Sequence, residues 1–211
     1  MTPKLNDLIA DYQRTANLSP CLESCPLCYS HNITFKQHDS RTRELRYCEY
    51  FFVKTFLLTL FRFKCSVCKK TFTFYPDFLL PYKRFITPSI LSLCQAYLSM
   101  GEASYRQIVR PNDSQYAYQD SSNQELSHVS LWNWFKGLSA LSTSAHKAAH
   151  WLFQLIPDCP VHRDVTPVNP RKYRSEARLA CLQQAEWVIR VNHYLQEHTI
   201  NVRLFPTIVN K

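Results

Sequence analysis

Two Cys-x-x-Cys pairs, Cys25-Pro-Leu-Cys28 and Cys65-Ser-Val-Cys68, are separated by the 36 residues 29–64. A Cys-x-x-Cys turn sets two sulfurs on one side of a tight knuckle. Two facing knuckles complete the tetrahedron of thiolates that zinc prefers. The stretch between them is rich in aromatic and β-branched residues and reads as strands. Knuckles joined by a hairpin or small sheet make a zinc ribbon. Such a site leaves no coordination position open, so its metal is structural and its binding is folding free energy. One structural Zn²⁺ on Cys25, Cys28, Cys65 and Cys68 is therefore expected.

Other readings use the same residues. Four buried reduced thiols without metal, or a rubredoxin-like iron site, fit the same spacing. Cys21 or His31 could replace one ligand, while Cys48, Cys94, Cys159 and Cys181 read as core or surface thiols. The position after each second cysteine is often glycine, which tolerates positive φ. Here it is Tyr29 and Lys69, so strained or differently shaped knuckles are expected.

Composition narrows the class. Nine cysteines in 211 residues favour metal ligation in a reducing compartment, because residues 1–19 carry charges and no signal-like apolar stretch. A hydrophobic fraction of 45% supplies a core. Only two glycines occur, which excludes Gly-rich phosphate loops. The longest apolar run, 51–61, is about half the ~20 residues that span a bilayer. A cytoplasmic protein with no membrane partner is the expectation. The formal charge of +9 favours a polyanion. Four zinc-bound thiolates would leave the holo chain at about +7.

Along the chain, residues 1–20 read as a helix or leader that Pro20 stops, and 21–86 as the ribbon. Strands are expected at 33–37, around 46–54, at 55–63 and at 71–75. Helical periodicity begins at Thr87-Pro88, with Thr87 as N-cap, and gives helices at 88–99 and 103–110. A polar loop over 111–126 precedes a helix at 128–138, and the section 87–142 forms one unit. Residues 143–211 form another: a helix at 143–156, a Pro-rich linker (157–170) and a long helix over 171–197, in which Glu186 falls largely off the apolar face. The tail after 200 is apolar without a clear period. The fold class is α+β: a small β zinc ribbon, then a helix-turn-helix-like region and C-terminal helices.

The order helix, helix, helix over 88–138 is that of a unit whose last helix reads the major groove. Ser127 or His128 caps that helix, Leu131, Trp134, Phe135 and Leu138 pack inward, and Ser130, Asn133 and Lys136 face out. Asparagine can pair with adenine and serine with phosphate. The section is nearly neutral, with 3 basic and 4 acidic residues, and its loop exceeds the usual turn, so plain helical packing is the rival reading. Phosphate contacts would come from elsewhere: Arg41, Arg43 and Arg46, Lys69 and Lys70 by the second knuckle, and Arg171, Lys172 and Arg174 before the last helix. Arg62 and Lys64 belong to the same basic set. Each run is also compatible with a solvated face.

C-P-x-C, followed by a strand-rich stretch ending F-R-F-K-C-x-x-C-x-x-T-F, resembles the N-terminal zinc ribbon of bacterial insertion-sequence transposases. P-D-F-L-L-P-Y-K-R-F, S-Y-R-Q-I and S-H-V-S-L-W-N-W-F resemble small mobile-element proteins of unknown function. The resemblance covers about residues 21–140. It implies binding of double-stranded DNA, association with a transposase or another mobile-element protein, and Cys25, Cys28, Cys65 and Cys68 as ligands. The larger transposases add a carboxylate-bearing catalytic domain. After residue 140 about 70 residues remain, too short for such a sheet, so no catalytic residues are expected. The expectation is a zinc-dependent DNA-binding accessory or regulatory factor, or a transposase remnant. The alternatives are the DNA-binding part of a split transposase, and an RNA-binding or protein-interaction ribbon that uses Phe51, Phe52, Phe72 and Phe74 as stacking aromatics.

Overall fold

The computed structural model describes residues 5–16, 22, 24–49, 52–109, 126–162, 168, 175–198, 200, 204–205 and 208–210. Helix and sheet are mixed, as an α+β chain requires. The chain divides into two compact units: 1–47 with 55–87 and 205–211, and 48–54 with 88–204. The division at 87/88 falls one residue past the end of the segment expected as the ribbon. The expected break at 142 is not a unit boundary, and the leading helix belongs with the sheet.

The first unit starts with α1 (Leu5–Ala16), then β1 (Phe35–Glu49), β2 (Phe52–Cys65) and β3 (Thr71–Phe74). A last strand, β4 (Ile208–Asn210), completes a sheet of order β1-β2-β3-β4. β3 lies antiparallel to β2, with Phe61 opposite Phe74 and Phe63 opposite Phe72. It also lies antiparallel to β4, with Thr73 opposite Val209. Residues 35–37 and 46–49 of the expected strands lie on one long β1, whose middle is polar, while 52–54 lie on β2 with the strand expected at 55–63. Within the tail, which has no clear period in sequence, residues 208–210 form β4.

Strand alternation divides the apolar residues between two clusters. Leu45, Leu58 and Leu60 pack with Tyr75, Phe78 and Leu79. Phe35, Phe63 and Phe72 pack with Cys25 and Cys65. Helix α1 is amphipathic. Its buried Tyr12 lies edge-on to Phe78, 6.4 Å between centroids, and its hydroxyl donates to Phe74 O at 3.1 Å.

The second unit holds α2 (Thr87–Ser99), most of which falls in this unit, α3 (Tyr105–Val109), α4 (His128–Ser139), α5 (Ser142–Leu155) and α6 (Glu176–Glu197). Their starts are chemically marked. Ser104 and Gln107 form a reciprocal capping box at α3, with Ser104 N–H donating to Gln107 Oε1 at 2.6 Å and Gln107 N–H to Ser104 Oγ at 3.3 Å. Ser127 caps α4 by accepting from Val129 N–H, and Ser175 caps α6 by accepting from Arg178 N–H. Tyr97 stacks on Tyr105 at 4.4 Å and lies 5.4 Å from Phe135, which ties α2, α3 and α4 through one aromatic cluster. α6 packs on α4 and α5. Glu186, expected off the apolar face of α6, is buried instead and bonds Arg190 at 2.8 Å, each side chain 10% exposed. With neighbours on several sides, α6 buries more of its circumference than one stripe. Among the described residues, no helix is long and apolar enough to cross a membrane.

Candidate metal centre and basic faces

The two Cys-x-x-Cys segments are two copies of one turn. Cys25 N–H donates to Ser30 O (2.9 Å), and Cys65 N–H donates to Lys70 O (3.0 Å). Tyr29 N–H donates to Cys25 O (2.8 Å), as Lys69 N–H does to Cys65 O (3.2 Å). Leu27 N–H reaches Cys25 Sγ at 3.4 Å, and Val67 N–H reaches Cys65 Sγ at 3.3 Å. Tyr29 and Lys69 both adopt positive φ, 58° and 61°. The knuckles are thus not differently shaped. Two non-glycine residues take the left-handed conformation, at a cost of roughly 1–2 kcal/mol each.

The four sulfurs converge. Cys25 and Cys68 lie 3.9 Å apart, Cys28 and Cys65 4.0 Å, and all four lie within 4.8 Å of one another. A tetrahedral ion with metal–sulfur bonds of about 2.3 Å sets its sulfurs about 3.8 Å apart. The four thiolates therefore fit one such ion, and the observed contacts are too long for any disulfide among them, whose S–S bond is about 2.0 Å. Cys25 and Cys65 are fully buried, and Cys28 and Cys68 half-buried. Burial pushes the Cys25 thiol up, to about 11. The hydroxyl and backbone N–H of Ser30 pull Cys28 down, to about 6. At Cys65, burial opposes ionisation, but the N–H groups of Cys68 and Val67 and the side chains of Cys25 and Cys68 together hold the thiol below its usual value. Backbone donors aimed at sulfur thus favour the thiolate that a metal requires.

The other expected cysteines stand apart from this cluster. Cys94 and Cys159 are buried, Cys48 and Cys181 half-buried, and all four are free thiols. His31 is exposed and pairs as a bridge with Ser24. Cys21 lies outside the described residues.

The residues expected at DNA are divided between the two units. On α4, Asn133 and Lys136 are exposed and Ser130 half-buried, while Leu131, Trp134, Phe135 and Leu138 are buried as the periodicity requires. The Lys136 ammonium sits 5.4 Å from the Trp132 ring and the Arg178 guanidinium 5.1 Å from it, so α6 contributes a cation beside α4. Lys69 and Lys70 are exposed beside the second knuckle. On β1, alternation puts Arg41 and Arg43 on the face of Leu45, and Arg46 on the other. Arg46 bonds Glu44 at 3.2 Å. Arg171, Lys172 and Arg174 lie outside the described residues, as do 110–125 of the expected loop and Phe51.

Residues 25–115 match a family described as a domain of unknown function, DUF6431. The matched region opens on the first metal-candidate cysteine and runs through β1, β2, β3, α2 and α3, ending before α4. No curated protein and no solved structure matches the chain.

Proposed function

We propose that the chain is a zinc-dependent DNA-binding protein whose first unit is a zinc ribbon and whose helices α2–α4 present a groove-reading element. The observation that carries the reading is the sulfur cluster. Two turns with the same hydrogen bonds bring four thiols to the spacing of a tetrahedral ion. Zn²⁺ suits an all-thiolate set without an open position, so its role is to hold the fold rather than to react.

DNA is the partner favoured by charge and by chemistry. Residues 1–86 carry 13 basic and 7 acidic side chains. That excess, on a metal-held sheet, suits a phosphate backbone. The exposed Asn133 and Lys136 on a helix capped at Ser127 are of the types that read base edges and phosphates. The resemblance to the ribbon of insertion-sequence transposases points the same way, to an accessory or regulatory factor of a mobile element acting without its own catalytic carboxylates. The RNA reading leans on stacking aromatics. Phe72 is only 1% exposed within the cluster around Cys25, so its ring is not available to a base.

The test is duplex binding by the zinc-loaded chain, followed over a salt series before and after chelation. Binding that weakens with salt and disappears with the metal supports the proposal. Equal affinity with and without metal rejects the zinc dependence, and no binding rejects the DNA partner.

A further inference from the structure

The sheet carries a second feature on the face opposite the cysteine cluster. β2 alternates: Phe63 and Cys65 face the sulfurs, so Leu60 and Arg62 face away. Arg62 stands opposite Thr73 on β3. On β1, Arg41 and Arg43 share this face. Together Arg41, Arg43 and Arg62 line a cleft of about 340 Å³, at the small end of the ~300–1,000 Å³ range of ligand sites. Its other walls are Leu60, Thr73, Tyr75 and Tyr82. Leu60 and Tyr75 are buried and form the floor, while Tyr82 is exposed and held at φ 62° at the rim.

Among the described residues, the three guanidinium groups of this cleft share a single ion pair with a carboxylate. Asp39 approaches Arg62 only to 3.8 Å, and the Arg62 side chain is 22% exposed. The Arg62 guanidinium donates to Thr71 Oγ1 at 2.9 Å, yet its Nε is buried with no hydrogen-bond acceptor. A buried donor of a charged group without an acceptor is costly, but this Nε is sealed from the cleft, so an anion there would meet the accessible part of the Arg62 side chain together with Arg41 and Arg43. Guanidinium forks match phosphate oxygens in pairs, and three of them around one cleft repel one another until an anion arrives.

We infer that this cleft is a phosphodiester subsite. It takes one deoxyribose-phosphate segment of a DNA strand, with phosphate oxygens on Arg41, Arg43 and Arg62 and the apolar sugar edge against Leu60, Tyr75 and Tyr82. The inference rests on the DNA-binding reading and extends it by naming where the backbone is gripped. It divides the roles: the sheet holds phosphate through this face, and the other face of the same sheet holds the metal.

The experiment uses the full zinc-loaded chain and a random-sequence duplex, with affinity followed over a salt series. The variants are Arg43→Gln, Arg62→Gln and the pair, with Arg14→Gln as control, because Arg14 is exposed on α1 and bonded to Asp11. Zinc content and melting are measured for each. Each cleft variant should lower the log–log salt slope by about 1 and weaken binding to all sequences alike, while Arg14→Gln changes neither. Arg43→Gln carries the test if Arg62→Gln fails to fold. If the wild type binds duplex and the cleft variants keep its slope, the subsite is overturned and the DNA reading stands. The second arm titrates inorganic pyrophosphate while the arginine Nε–Hε resonances are followed. If duplex does not bind and pyrophosphate shifts Arg62, the DNA reading falls and the strand assignment with it, leaving a site for a free phosphate compound. If neither ligand shifts Arg62, the cleft as a phosphate site is overturned.

Discussion

Tyr29 and Lys69 occupy equivalent places in two copies of one turn, at φ 58° and 61°, each donating its backbone N–H to the carbonyl of the first cysteine of its pair. Their side chains have nothing in common. What they share is the backbone that the sulfurs demand.

That equivalence makes Tyr29 a place to separate backbone from side chain. Its ring is 75% exposed, so removal loses little packing. Tyr29→Gly should stabilise the zinc-loaded chain slightly, by up to ~1 kcal/mol, and so raise its melting midpoint, as left-handed strain is relieved against greater freedom in the unfolded state. Tyr29→Val should lower it, because a β-branched residue is least tolerant of positive φ. A thermal melt of the two variants, with zinc content measured, checks the order Gly above Tyr above Val.

The chain should bind one zinc, and Cys65→Ser should abolish it. Cys65 is fully buried among Cys25, Phe63 and Phe72, so its loss removes a ligand and disturbs that cluster. Hydrogen exchange should then show protection lost across the sheet unit and largely kept in α4, α5 and α6, which bury their own apolar faces. Elemental analysis gives the metal count. Equal loss of protection in both regions would contradict two separable units.

Tyr12 gives the sheet unit an alkaline limb. Burial pushes its phenol up, to about 12. A raised folded pKa contributes stability that is fully present below the unfolded value near 10 and is lost as pH rises toward 12. At most roughly 2–3 kcal/mol is involved. Tyr12→Phe should cost about 1 kcal/mol at neutral pH through the lost bond to Phe74 O, and should flatten the decline between pH 10 and 12. Denaturant unfolding across that range is the measurement.

On α4, base reading and phosphate contact should come apart. Asn133→Ala should reduce preference for one base pair, by roughly 1–3 kcal/mol if the contact is bidentate, with little change in salt slope. Lys136→Gln should weaken binding to all sequences and lower the slope by about 1. Competition among duplexes differing at single positions distinguishes the two. Unchanged sequence preference in Asn133→Ala would leave α4 as a packing helix.

The sulfur cluster was legible because two short spacings fix it, and a local turn needs no tertiary knowledge. The starts of α3 and α4 were legible for a similar reason: Ser104 and Ser127 act within three residues of themselves, whereas the last helix, expected from 171, is capped at Ser175 and begins at Glu176. The continuity of β1 was not legible, since residues 38–44 are all polar and lie on a strand with no apolar alternation to mark it. Nor was the arginine cleft. Arg41, Arg43 and Arg62 lie on two strands, and only pairing and register make them neighbours. Glu186 was misplaced because one-stripe reasoning assumes one packing partner, and α6 has more. β4 is three residues long, too short for any period, and its place beside β3 is set by hydrogen bonding to a strand far earlier in the chain.

The pairing of β3 with β4 also sets an order of events during synthesis. Residues 71–74 emerge from the ribosome early, with β2 available at once on one side. Their other neighbour, 208–210, is translated only after the whole of α2 through α6. For that interval β3 is a bare edge with unpaired amides, the kind of template that invites a stray strand from another nascent chain. Closing of the two cysteine turns in the meantime does nothing for that edge. Crowded polysomes are therefore where this chain is most exposed to mispairing, and slow elongation through the helical unit would lengthen the exposure.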